Sequence, residues 1–432
     1  MSRGRTVVIG AGLAGLSAGR VLAGAGMDYV ILERGSRPGG LCRTETAGGF
    51  TFDYTGHLLH LKEGPSRDLI LDLIGGQLRE HTRRASIFVK NTFVPYPIQA
   101  HFGALPEYLA QRCMEDLVKA AGGEPPSGAA FPAWARGQFG DTLARIFMIP
   151  YNRKLYVHPL EEMESSWTSW AVPRPTLQEI TGAAAGEKVP AYGYNATFLY
   201  PRGGGIEILP AALAAGQEGC IRTASEVVEV DVSGKRVQVR SGEDISYHTL
   251  INTLPLPDFL RISGSLPDRA AGFADRLRYS SVLGVCLGLD GPVLRDDHWI
   301  YFPDGKVPFY RIGFPSNFSG NVAPPGCGSL YAEAAFSPGS PPDPDAVAEA
   351  VMGSLGDLGI IDQSTGVRAR LDLTIPCAYV FHDRFRAEGL GPLLASLREK
   401  DIISIGRYGG WEYSGMQEAV DWGLNAARET LP

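Results

Sequence analysis

The chain has 432 residues, 44% of them hydrophobic and 20% charged, with a formal net charge of −7. At roughly 150 residues per domain this length suits two or three domains. The composition excludes a globally disordered chain, and the absence of a basic block argues against a nucleic-acid or polybasic membrane partner. The 54 Gly show no three-residue period, which excludes collagen. With 32 Arg against 8 Lys the usage has a GC-rich character, so the glycines become informative only by position. The six Cys are scattered, without CxxC or zinc-type Cys/His spacing. That pattern points to a reducing, cytoplasmic setting with no structural metal and no disulfide frame.

Taken in order, residues 6–33 read strand, tight turn, helix, strand. Arg3 and Arg5 ahead of the apolar run 7–19 imitate a secretory leader, but the run is short and Gly-rich. Residues 99–170 are predicted mainly helical, interrupted by a Gly/Pro-rich linker at 121–132. Residues 227–232 and 235–240 flank Ser233-Gly234 as a hairpin, and 250–254 form a strand stopped by Pro255. Strands are predicted at 282–289, 298–302, 308–313 and 329–335, a loop at 336–344 and a helix at 345–358. A last strand covers 402–406 and a last helix about 416–430. The first and last segments both resemble parts of one nucleotide-binding domain, which makes the domains discontinuous.

Gly10-Ala11-Gly12-Leu13-Ala14-Gly15 is a GxGxxG directly after a strand and opening a helix. Gly10 permits the tight turn, Gly12 lets backbone approach a pyrophosphate, and Gly15 lets helix pack on strand. The helix start offers free N–H groups to phosphates. Glu33, ending the second strand, is placed to bind the adenosine ribose hydroxyls. Glu33-Arg34 runs on to Arg37-Pro38-Gly39-Gly40-Leu41, which resembles the extended FAD motif of the amine-oxidase-like family. A second junction, Gly406-Arg407 through Gly409-Gly410 to Met416, suits a cofactor as long as FAD. In that family Val227 matches the adenine-contacting position. No second GxGxxG of good quality exists, so NAD(P)H as reductant would bind only transiently.

Further blocks make most of the chain similar to the UDP-galactopyranose mutase family, in its eukaryotic-type branch. These are residues 52–57 (FDYTGH), 95–99 (PYPIQ), 150–156 (PYNRKLY), 193–204 (GYNATFLYPRGG), 308–311 (PFYR) and 406–416 (GRYGGWEYSGM). The resemblance implies an α/β fold: a Rossmann-like, glutathione-reductase-type FAD domain with an inserted α-helical domain and an antiparallel β-sheet substrate domain. The expected FAD-binding parts are 1–90, 200–260 and 398–432. The helical domain is expected at 91–180, and the mixed-sheet domain at 181–199 and 261–397.

The resemblance also implies an activity. The family interconverts pyranose and furanose forms of a nucleotide sugar without net redox change, reduced FAD N5 attacking the anomeric carbon and displacing the nucleoside diphosphate. Arg suits a diphosphate because its fork binds bidentately and stays charged. Arg311 and Arg407 match the diphosphate positions, Tyr413 a hydroxyl donor, and His57, with Gly56 before it, a residue beside the flavin. Tyr96, Gln99, Asn152, Tyr156, Asn195 and Tyr310 match positions lining the nucleotide and sugar.

Three departures stand against the pattern. The second diphosphate Arg of the family falls near Ala171, with Arg174 the nearest basic residue. Phe318 stands where the branch has Tyr, and Tyr156 where Trp is usual. Losing a hydrogen bond to a charged group costs about 1.5–3 kcal/mol, so the substrate is less determined than the flavin. The competing reading is an FAD-dependent oxidase or dehydrogenase of the amine-oxidase or protoporphyrinogen-oxidase kind.

Overall fold

The computed structural model describes residues 4–120, 128–184, 196–266, 270 and 272–431. Thr6–Ile9 is a β-branched strand buried along its whole length, as the middle of a parallel sheet with both faces covered requires. It pairs in parallel with Tyr29–Leu32 on one side and Thr249–Asn252 on the other. Ile402–Ser404 beside Thr249–Asn252 and Ile221–Arg222 beside Tyr29–Leu32 complete a five-stranded sheet drawn from distant parts of the sequence.

The helix Leu13–Gly24 leaves this sheet and packs along the last helix, Met416–Glu429. A Cβ at Gly423 would lie 2.1 Å from the Ala14 carbonyl oxygen, so the two helices approach at backbone distance. This contact brings the second junction to the first.

A seven-stranded sheet forms the other large layer. Its order is Val367–Val380, Tyr279–Leu289, Gly328–Phe336, Arg311–Gly313, Trp299–Tyr301, Ala85–Val89 and Thr92–Pro95. All neighbours are antiparallel except Trp299–Tyr301 beside Ala85–Val89. Helices Glu107–Ala120, Phe131–Leu143 and Ile149–Tyr156 share an apolar core with Val282, Tyr310 and Ile375 of this sheet side. Ala144–Met148 forms a π turn between the last two helices, a distortion common at functional sites.

Several expectations shift. Residues 85–89 and 92–95 join the seven-stranded sheet, so the flavin part expected to run to residue 90 gives way earlier. The boundary expected between 199 and 200 runs through one strand, Thr197–Pro201, which pairs with Leu78–Thr82. Short apolar runs do not encode which sheet edge will take them. Of the linker expected at 121–132, residues 121–127 lie outside the described residues, and a helix already begins at Phe131 with Pro132 in its first turn.

The two longest elements absent from the sequence reading carry residues that argue against them. Val367–Val380 contains Pro376, which speaks against a strand, but it is an edge strand, where a missing N–H is tolerated. Arg384–Arg398 contains Gly389, Gly391 and Pro392, which read as a break; Asp383 caps its start by accepting from the Arg386 N–H at 2.8 Å. Among the described residues no helix is long and apolar enough to cross a membrane.

Candidate active site

The glycine turn has the geometry a dinucleotide needs. Gly10 has φ +98°, and a Cβ on Gly15 would lie 1.9 Å from the Gly10 carbonyl oxygen. The helix Leu13–Gly24 carries no side-chain cap and no acidic residue in its first turn, which leaves its first N–H groups for an anion. The Glu33 carboxylate accepts from the N–H groups of Ala11 (2.9 Å) and Gly35 (2.7 Å), at the mouth of this turn.

Gly39 and Gly40 have φ of +125° and +57°, and a Cβ on Gly40 would lie 3.2 Å from Gly12 Cα. Gly406, with φ +80°, places its own Cβ position 3.2 Å from Ala14 Cβ. Both junctions therefore gather at the carboxyl ends of the parallel strands, with Leu13, Ala14 and Met416 at the adjoining helix starts. The backbone cradle fits FAD: three glycine segments touch where a side chain would fill the path. Arg34 is exposed, Leu41 packs toward the helical part, and Val227 is buried in the core below the sheet.

The chemistry-bearing side chains come from the other layer. Arg311 and Glu333 are direct cross-strand partners, and Glu333 is fully buried. Arg311 uses Nε and Nη2 for this carboxylate, which also accepts from the Tyr310 hydroxyl. The Arg407 guanidinium donates to the carbonyls of Ser414 (2.6 Å) and Ala378 (2.9 Å) and lies 4.4 Å over the Tyr413 ring. Tyr379 links the two arginines. Its ring stacks on Tyr413 at 6.0 Å, its hydroxyl lies 3.5 Å from that of Tyr310, and Arg407 lies 5.6 Å over its face.

His57 faces both arginines. Burial first, then the positive charges of Arg407 and Arg311, hold its imidazole down to about 4, so it is neutral at pH 7. Its Nδ1 is buried without a hydrogen-bond partner among the described residues. Gly56 before it is required by space: a Cβ there would lie 2.6 Å from the Tyr331 hydroxyl and 3.7 Å from Arg311 Nη2. A small cavity opens here, lined among others by Asp53, Gly56, His57, Tyr200, Phe318 and Tyr331.

The remaining candidates spread around this centre. Tyr96 packs on Tyr301 at 5.2 Å and lies under the Arg83 guanidinium. Gln99 is buried, donating to the Pro173 carbonyl, with Oε1 unpartnered among the described residues. Asn152 donates to Met148 within its own helical segment, and Tyr156 is buried against Trp167, Tyr379 and Phe381. Phe318 is buried against Phe198 and Tyr200 while lining the cavity. Arg174 is exposed, donating to Thr168 and lying over Trp134 in the helical part. Asn195 lies outside the described residues.

Glu333, Tyr301, Tyr331 and Tyr379 escaped the sequence reading. A lone acid inside the apolar run 329–335 was the available signal for Glu333, because a buried carboxylate requires a charged partner.

Comparison with known proteins agrees with this cradle. A solved structure of reduced UDP-galactopyranose mutase is 28% identical, covering 99% of this chain and 95% of that one, with a TM-score of 0.93. A putative protoporphyrinogen oxidase from Exiguobacterium sp. 255-15 shares the fold at 18% identity, covering 99% of each chain, with a TM-score of 0.78. Among curated proteins, the inactive all-trans-retinol 13,14-reductase of Danio rerio is 43% identical over 72 residues, 16% of this chain and 11% of that protein. The family model for flavin containing amine oxidoreductases matches residues 13–431. Covering nearly the whole chain, from the start of the first helix through the second glycine junction, that match places this chain in the flavin containing amine oxidoreductase family.

Proposed function

We propose that this FAD-dependent enzyme is a nucleotide-sugar pyranose/furanose mutase, similar in activity to UDP-galactopyranose mutase. The observation that carries the reading is the pairing of Arg311 and Arg407 about one tyrosine cluster, both acting on His57. Reduced FAD, when bound, supplies a nucleophile for the anomeric carbon and takes no electrons from the sugar overall. NAD(P)H binding transiently as the source of those electrons belongs to the same reading.

The roles of the residues follow from charge. Arg407 and Arg311 hold the diphosphate and stabilise the charge that develops as it leaves. Tyr379, which burial raises to about 12, keeps its phenol proton at neutral pH and acts as a donor. Tyr413, stacked beneath Arg407, presents a second hydroxyl to the same anion. Neutral His57 takes part in hydrogen bonding without adding a third charge.

One observation favours oxidation instead. Glu333 already neutralises Arg311, which weakens its pull on a phosphate. Incubating dithionite-reduced and air-oxidised protein with a panel of nucleoside-diphosphate hexoses separates the two. Ring interconversion in the reduced sample alone supports the mutase; peroxide and an oxidised product in air overturn it.

A further inference from the structure

The segment between Tyr301 and Arg311 is a loop with few bonds of its own. Phe302 N–H donates to the Tyr310 carbonyl (2.8 Å) and Tyr310 N–H to the Glu333 carbonyl (2.9 Å), closing the loop at its base. Inside it, Lys306 N–H donates to the Asp304 carboxylate at 2.9 Å. The other support arrives from the helical part. Lys154, on the helix Ile149–Tyr156, points its ammonium at three carbonyl oxygens of this loop: Asp304 at 2.7 Å, Val307 at 3.1 Å and Phe309 at 2.5 Å. An ammonium has three donors, so one side chain is fully used by one loop. Tyr151, from the same helix, meets Tyr301 edge-on at 5.4 Å and Tyr310 at 6.2 Å. One helix thus grips both ends of the loop.

We propose that Lys154 is a positioning residue for substrate binding: by gathering the Asp304, Val307 and Phe309 carbonyls it fixes the backbone entering Tyr310-Arg311, and so the direction in which Arg311 meets an anionic ligand. Phe309, whose carbonyl makes one of the three bonds, lies two residues before Arg311. Without the ammonium, three carbonyls, two of them in partly buried bonds, lose their donor and turn toward water. The strand Arg311–Gly313 is paired on both sides but is only three residues long, so the backbone before it is held by the loop's own bonds and by Lys154. Lys154 touches none of the glycine segments of the flavin cradle. This inference rests on the diphosphate role proposed for Arg311.

The test uses the FAD-loaded protein and UDP as probe, comparing wild type with Lys154→Met. In the variant UDP binds about tenfold more weakly and KM rises by a similar factor, the effect of a degraded contact to a charged group. The value of kcat and the flavin spectrum stay close to wild type. Hydrogen exchange adds a readout independent of any ligand: the Phe302 and Tyr310 amides exchange about tenfold faster in the variant, as expected for local opening. If Lys154→Met does not fold, Lys154→Gln, which keeps a neutral donor, serves the same comparison. Unchanged UDP affinity together with unchanged exchange, in whichever variant folds, overturns the clamp. Wild-type protein that binds neither UDP nor any other nucleoside diphosphate instead refutes the function proposed above, and the exchange measurement still decides the clamp.

Discussion

Arg311 and Glu333 lie opposite each other on adjacent strands, with Arg311 Nη2 2.7 Å from Oε1 and 2.9 Å from Oε2. The positive charge proposed to hold a diphosphate is thus already paired inside the protein. The pair holds the guanidinium in one orientation and leaves its charge only partly available, so affinity and stability at Arg311 are separable quantities.

Arg311→Ala strands the Glu333 carboxylate in the core. Losing one member of a buried ion pair costs about 3–5 kcal/mol. Combining Arg311→Met with Glu333→Leu removes both charges and recovers most of that loss, while UDP binding stays absent. Denaturant unfolding of the three proteins checks this. A double variant no more stable than Arg311→Ala would contradict the buried-pair account.

The flavin cradle gives a visible test. Gly15→Ala places a Cβ 1.9 Å from the Gly10 carbonyl oxygen, so the turn opens and the purified protein loses its yellow colour. Gly24→Ala, in the same helix with nothing within 4 Å of the new Cβ, remains yellow. Flavin absorbance per mole of protein measures both.

His57 makes a pH prediction with a definite sign. Its folded value of about 4 lies below the ordinary 6.5, so the unfolded chain takes up the proton first as pH falls. Stability is then full above the unfolded value and is lost progressively between about pH 6.5 and 4. His298 and His382, both pushed down to about 3 by burial, act in the same direction. His57→Asn therefore shrinks the drop in Tm between pH 7 and pH 5 without abolishing it. An unchanged drop would mean that His57 is protonated in the folded protein.

At the second junction, Arg407→Lys keeps the charge but cannot hold the Ser414 and Ala378 carbonyls and stack on Tyr413 together. Turnover falls by about a hundredfold with FAD retained, the loss of two charge-assisted bonds at about 1.5 kcal/mol each. Tyr413→Phe keeps the stack and removes only the hydroxyl, raising KM about tenfold at constant flavin content. Steady-state kinetics alongside flavin absorbance distinguishes these outcomes.

The glycine positions of the cradle were legible in the chain because each answers a local requirement. Gly10, Gly39, Gly40 and Gly406 adopt positive φ, and Gly15 meets a neighbour five residues away. Such constraints are written within a few residues of where they act. The helix Arg384–Arg398 was hidden for the same reason, since Gly389, Gly391 and Pro392 signal a local break that packing overrides.

Glu333 and Tyr379 could not be read this way. Their roles arise only when strands beginning at 279, 311, 328 and 367 are laid in register. The nucleotide turn and the second junction follow from glycines close together in the chain. That Glu333, 22 residues away, neutralises Arg311, that Tyr379 lies beneath Arg407, and that Lys154 bonds the loop before Arg311 emerge from packing alone. Backbone turns obey sterics local in sequence, whereas charge pairing depends on distance in space, and distance is set by which strands become neighbours.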